Sequence, residues 1–263
     1  MISVRAVSFS YGELGENNKR VIDDVSFDIE KGEFVALIGA NGSGKSTLAM
    51  LLNGVYMPGS GRISVDNLNI SNSEEHLKAK MKIAVLFQNP SEHLVSGSVE
   101  SDIAFTLENY GIPPSEIRER VDEALVLFGL GEFRTKHPRH LSGGEQQKIA
   151  FAGIWALKPN YIICDEVTTY LDHSSRKLII ELLRDFRKGG GGVLFITQFP
   201  IEALHADRLL LLNNGKIRDS CIPSDLLRDE NKMSSSGHTV PKQLLLDELM
   251  MNFTNGYGRC SLK

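Results

Sequence analysis

Apolar positions change rhythm several times along the chain, and each rhythm predicts a different element. In ISVRAVSFSY (2–11), Ile2, Val4, Ala6 and Phe9 recur at close to every second position, the mark of a half-buried strand. VIDDVSFDI (21–29) repeats it loosely after a polar loop. FVALIG (34–39) is apolar without interruption, as a parallel strand covered on both faces requires. A helix is predicted from Lys45, then a second β pair through GSGRISVDNLNI and a buried strand at KIAVLFQ (82–88). Spacings of three and four in SVESDIAFTLENYG and PSEIRERVDEALVLFGL (114–130) predict helices, parted at Pro113 and Pro114. After LSGGEQQKIAFAGIWAL (141–157), strand and helix alternate again through YIICDE, SRKLIIELLRDF and VLFITQ. The α/β alternation predicts a mainly parallel sheet covered by helices. Without a flexible linker, the helical block at about 90–157 reads as an insertion. Beyond residue 222 a polar stretch leads to the amphipathic PKQLLLDELMM.

Composition narrows the function classes. The 263 residues, 41% hydrophobic with 24 glycines, are those of an ordinary globular chain. A formal charge of −4 gives no reason to expect a nucleic-acid partner, because duplex binders carry a basic patch that releases counterions. Cys164, Cys221 and Cys260 show no metal-ligand spacing and no disulfide framework. Neither a signal peptide nor a run of about 18–20 apolar residues is seen. The chain is expected to be soluble by itself, with any membrane role supplied by a partner.

Chemistry concentrates in a few short stretches. GANGSGKST fits the phosphate-loop spacing G-x-x-x-x-G-K-[ST] at Gly39, Gly44, Lys45 and Ser46, between a buried strand and a helix. The loop residues Gly39, Asn41, Gly42, Ser43 and Gly44, continuing to Thr47, would turn backbone N–H groups toward a β-phosphate. Lys45 would reach the β- and γ-phosphates, and the Ser46 hydroxyl would ligate Mg²⁺. The chain is therefore expected to bind a nucleoside triphosphate. Asp165, at the end of YIICDE, is the candidate metal carboxylate, and Glu166 the candidate that polarises the attacking water. In LSGGE, Ser142 and Glu145 have capping-box spacing, and Gly143 and Gly144 bare the amides of a second anion-binding helix start. One nucleotide does not need two such helices from one chain.

Phosphate loop, LSGGE, CDE and ITQ, in that order and at these distances over residues 2–220, resemble the ATPase subunit of an ATP-binding cassette transporter. The resemblance implies a P-loop NTPase core, an antiparallel N-terminal β subdomain, an inserted helical subdomain and a C-terminal helical extension over 221–263. It implies a head-to-tail dimer in which each ATP lies between the phosphate loop of one chain and the LSGG of the other. Tyr11 matches the aromatic residue stacked on adenine. Gln88 matches the glutamine that ligates Mg²⁺ and opens the loop against a membrane subunit, and Asp172 matches the aspartate that crosses the dimer interface. FQNPSEHLV and the tail most resemble the energy-coupling factor importers, which take up vitamins or transition-metal ions. The partners so implied are a second ATPase, a transmembrane coupling subunit meeting residues 88–95, and a separate membrane capture subunit. Apolar Leu94 and Val95 beside QNP would be odd on a loop facing only water. The location implied is peripheral, on the cytoplasmic face of the membrane.

Three positions depart from the family. Gln198 replaces a histidine that faces the γ-phosphate; an amide can donate and accept but never become cationic. The chain's own site is expected to bind ATP well and hydrolyse it slowly. Glu145 replaces a commoner glutamine, and its capping contact is expected to hold its charge away from the phosphates. His173 replaces proline and reads as a surface or cap residue. These departures favour a dimer of unlike ATPases. The competing readings are a soluble cassette ATPase, which would typically carry two cassettes or a coiled-coil insertion, and an ATP-gated module that binds without turnover.

Overall fold

The computed structural model describes residues 1–12, 20–88, 94–169 and 171–235. Strands β1 (Ile2–Phe9), β2 (Ile22–Ile29), β4 (Ser60–Val65) and β5 (Leu68–Asn69) form an antiparallel sheet in the order β2-β1-β4-β5. One expectation fails inside β1. Ala6 is exposed with φ +49°, donates its N–H to Ser26 Oγ at 2.8 Å, and lies where the register against β2 shifts. This bulge turns Val7 inward instead.

The second sheet holds β3 (Phe34–Ile38), β6 (Ile83–Leu86), β7 (Tyr161–Asp165), β8 (Gly192–Ile196), β9 (Arg208–Asn213) and β10 (Lys216–Cys221). Its order is β10-β9-β3-β8-β7-β6, parallel except for the edge pair β9–β10. Every residue of β3, β6, β7 and β8 is buried, which accounts for their uninterrupted apolar runs. Cys164 is one of these core residues.

Alternation along the strands divides the core. Tyr161 and Ile163 pack with the antiparallel sheet and with Leu48, Leu51 and Leu52 of α1 (Lys45–Leu52). Ile162 and Cys164 face the opposite way. They join α3 (Val99–Asn109), α4 (Pro114–Leu127), α5 (Gly143–Ala156) and α6 (His173–Lys188), with α2 (Ser73–Lys80) lying earlier in the chain. The helical block thus packs as a layer on the sheet. Helices α7 (Pro223–Leu227) and α8 (Glu230–Ser235) bury Leu226, Leu227 and Met233 against Ala36, Ile38, Leu209 and Leu211. The apolar tail PKQLLLDELMM and Cys260 lie outside the described residues.

The sheets are joined through Asp66, in the turn between β4 and β5. Its carboxylate accepts from the Met1 ammonium at 2.9 Å, Tyr161 Oη at 2.7 Å, Asn160 Nδ2 at 2.9 Å and Lys82 Nζ at 3.1 Å. Burial pushes this carboxyl's pKa up, but those donors outweigh it and hold it well below the ordinary carboxylate range.

Because β3, β8, β7 and β6 run in parallel and in that order, their C-terminal ends share one edge of the sheet. That edge carries the phosphate loop, then Gln198, then Asp165 and Glu166, then Gln88.

Candidate nucleotide site

The phosphate loop leaves β3 under close steric control. A Cβ on Gly39 would stand 2.3 Å from the Leu212 carbonyl oxygen, so the loop touches β9 as only glycine permits. Gly44, the N-cap of α1, has φ +107°, and a Cβ there would meet Ile22 and Val21 below 3 Å. No side chain caps α1, so its first N–H groups remain for another acceptor. Lys45 is almost completely buried. Its ammonium donates to the Gly39 and Ala40 carbonyls at 2.9 and 3.3 Å and stands 3.4 Å from Glu166 Oε1. The phosphate loop and the β7 acids therefore meet around one cation.

Asp165 is buried and Glu166 half-buried. Burial pushes the Asp165 pKa up, while a hydrogen bond from Ser46 draws it down. One of its oxygens, Oδ1, is buried without a partner. A buried orphan carboxylate oxygen beside a serine hydroxyl fits a divalent cation. Among the described residues no cluster of three or more His, Cys, Asp or Glu could hold a metal alone. Glu166 takes a left-handed backbone, φ +53°, while its N–H donates to the Ile196 carbonyl at 2.9 Å. A non-glycine residue held there stores about 1–2 kcal/mol of strain and swings its carboxylate off the strand line toward Lys45.

Gln198 stands past the end of β8, and its amide donates to Thr169 Oγ1 at 3.2 Å, tying it to the loop after Glu166. Gln88 is half-buried two residues past β6. Residues 89–93 of the expected membrane-subunit loop lie outside the described residues. At its far end the reading divides: Leu94 is in the core, whereas Val95 is 64% exposed. Among the described residues of that loop, Val95 alone remains as an unexplained apolar surface residue.

Tyr11, 51% exposed, hydrogen-bonds through its hydroxyl to Thr47 Oγ1 at 2.8 Å. Its ring meets Phe9 and Tyr56 edge-on at 5.2 and 5.6 Å, which places an aromatic cluster beside α1.

At the start of α5 the capping box is formed in both directions. The Ser142 N–H and hydroxyl each donate to Glu145 Oε2 at 2.7 Å, and Ser142 Oγ accepts from the Glu145 N–H. These bonds hold the Glu145 carboxyl below its ordinary pKa range. Gly144 lies beside Ser175 and Leu171, near Asp172. Asp172 caps α6 by accepting from the Ser175 N–H and the Ser174 hydroxyl, both at 2.7 Å, and His173 is the exposed first residue of that helix. No hydrogen bond among the described residues joins the α5 start to the phosphate loop.

The ABC transporter family profile matches residues 22–169. The chain belongs to the ATP-binding cassette transporter family. It is 38% identical to the energy-coupling factor transporter ATP-binding protein EcfA1 of Clostridium novyi, over 96% of this chain and 90% of that one. It is 40% identical to the cobalt import ATP-binding protein CbiO of Syntrophus aciditrophicus, over 92% and 85%. Among solved structures, cbiO1 of Clostridium perfringens, part of the transporter complex cbiONQ, superposes with a TM-score of 0.77 at 30% identity, covering 94% of this chain and 98% of that one. A dimeric ATP-binding cassette in a post-hydrolysis state with ADP and Pi superposes at 0.76 and 28% identity, covering 84% and 97%. As a cassette ATPase of the energy-coupling factor kind, the chain hydrolyses ATP for transport. The P-loop α/β fold expected from sequence is borne out.

Sequence reasoning overlooked Thr168, Arg176, Thr197 and Glu202, which lie behind Gln198. Glu202 reads as one more solvated acid, and nothing local marks it as buried.

Proposed function

We propose that this chain is a motor subunit on the cytoplasmic face of the membrane, driving import of a vitamin or a transition-metal ion. It would work beside a second, unlike ATPase, a transmembrane coupling subunit and a separate capture subunit. The observation that carries this reading is the convergence of Lys45, Asp165, Glu166 and Gln198 on one sheet edge, with LSGG on a helix start of its own. Such a chain offers half of each of two composite sites. The cassette core spans residues 1–220, and 221–263 form an extension.

In this reading the amides of Gly39, Asn41, Gly42, Ser43 and Gly44 and the hydroxyl of Thr47 take up the phosphates, and Tyr11 stacks on adenine. Lys45, already desolvated and held by loop carbonyls, neutralises phosphate charge. Ser46, Asp165 and Gln88 would hold Mg²⁺, which when bound would neutralise charge on the terminal phosphates. Glu166 accepts a proton from the attacking water, with the Lys45 ammonium 3.4 Å from its Oε1. Gln198 donates to the γ-phosphate. Ser142, Gly143, Gly144 and Glu145 close over the nucleotide of the partner.

Calorimetric titration with ATP, with and without Mg²⁺, tests these roles. Lys45→Ala is expected to weaken ATP binding by about tenfold or more, near 1.4 kcal/mol. Asp165→Asn is expected to leave metal-free binding intact and to abolish the gain from Mg²⁺. Unchanged titrations for both variants would contradict the assignment.

A further inference from the structure

Behind Gln198 lies a buried polar network that no phosphate role uses. Glu202, in the turn Pro200–His205, is only 3% exposed. Its Oε2 accepts from Thr197 Oγ1 at 2.5 Å and from Thr168 Oγ1 at 2.9 Å. These threonines sit on different segments: Thr197 precedes Gln198, and Thr168 follows Glu166 by two residues. Glu202 Oε1 stands 3.3 Å from Arg176 Nε, but off line, so neither atom makes a hydrogen bond. Arg176 spans the same gap from α6. Its Nη2 donates to the Thr168 and Leu171 carbonyls at 3.3 and 3.4 Å, and its guanidinium lies 4.8 Å from the Phe199 ring centroid. Thr197 Oγ1 also accepts from the Phe199 N–H at 3.0 Å. Gln198 is thus flanked on both sides by residues anchored to this network, and it donates to Thr169 one residue beyond Thr168.

We propose that Glu202 is a positioning residue for hydrolysis, acting through Gln198. By gripping both threonines it fixes the strand tip against the loop between Glu166 and Asp172, with Arg176 as the second strap. Burying a carboxylate for packing alone is unfavourable, whereas one that receives two hydroxyls and faces a guanidinium can set the register of two loops. The inference rests on the reading that Gln198 faces the γ-phosphate. It adds that the neutral amide there depends on being held, because it lacks the charge that would draw a histidine to the phosphate.

The test is steady-state phosphate release by the assembled complex with the partner ATPase's phosphate-loop lysine replaced by alanine, so that turnover reports this chain's own site. Calorimetric ATP affinity and thermal midpoint are measured alongside. Glu202→Gln keeps the shape and one acceptor. It is expected to lower kcat by about tenfold while KM for ATP stays within about twofold. Thr197→Val, equally isosteric, is expected to do the same, which keeps the proposal falsifiable should Glu202→Gln misfold. In a Gln198→Ala background, adding Glu202→Gln is expected to change kcat by less than about twofold, since its route of action is already gone. The proposal is overturned by an unchanged kcat in both variants, by full additivity with Gln198→Ala, or by equal losses in affinity, midpoint and rate. No phosphate release from the wild-type complex would overturn the ATPase reading as well. A wild-type rate matched by both variants overturns this inference alone.

Discussion

In the proposed site, Gln198 changes what the strand tip can offer a phosphate. Its amide donates a neutral hydrogen bond, roughly half as strong as one from an imidazolium, and in this structure the bond goes to Thr169. The account predicts that Gln198→His raises phosphate release at this chain's own site, read in the assembled complex with the partner's site inactivated, about fivefold, equivalent to about 1 kcal/mol. An unchanged rate would show that the amide does not limit hydrolysis. Residue types and spacing made the meeting of Lys45 with Glu166 and of Ser46 with Asp165 legible, because the phosphate and metal chemistry proposed for them would restrict both. The left-handed backbone of Glu166 was not legible, since it goes with a tertiary contact, the Glu166 N–H donating to the Ile196 carbonyl at the end of β8. Nor was the burial of Glu202, four residues past Gln198, where sequence shows an acid and structure shows a buried anchor.

Elements were legible where periodicity was strong and lost where tertiary contacts decided. The continuous runs of β3, β6, β7 and β8 announced a doubly covered sheet. The β9–β10 hairpin was overlooked although Asn214-Gly215, with φ +48° and +74°, is a strong turn signal. Helix α2 also escaped notice, because it buries only Ala79 and is set by Asn72 accepting from the Glu74 and Glu75 N–H groups. The joint at Asp66 gives an element-scale prediction. Asp66→Asn keeps a residue that tolerates the turn's φ of +48° but removes the charge. At pH 7 it is expected to destabilise the chain by about 2–3 kcal/mol. Because folding depresses the Asp66 pKa, its contribution is fully present above the unfolded value of about 3.9 and is lost as pH falls through the folded value. Denaturant midpoints of the two proteins should differ at pH 7 and converge as the pH drops below about 4. A gap that persisted undiminished would mean that shape, not charge, holds the joint.

At the scale of the whole molecule, the phosphate loop and the LSGG helix are, in the proposed function, two half-sites, between which no hydrogen bond among the described residues runs. In that reading each takes its complement from a second chain, and the departures at Gln198 and Glu145 suit a pair of unlike chains in which one site turns over more slowly. No helix among the described residues is long and apolar enough to cross a membrane, and the proposed function assigns the membrane passage to a separate coupling subunit. Mass spectrometry of what copurifies with this chain from native membranes in mild detergent tests that claim most directly. The account predicts recovery with a second, unlike ATPase and a small transmembrane chain. Recovery alone, or only with copies of itself in the soluble fraction, would contradict it.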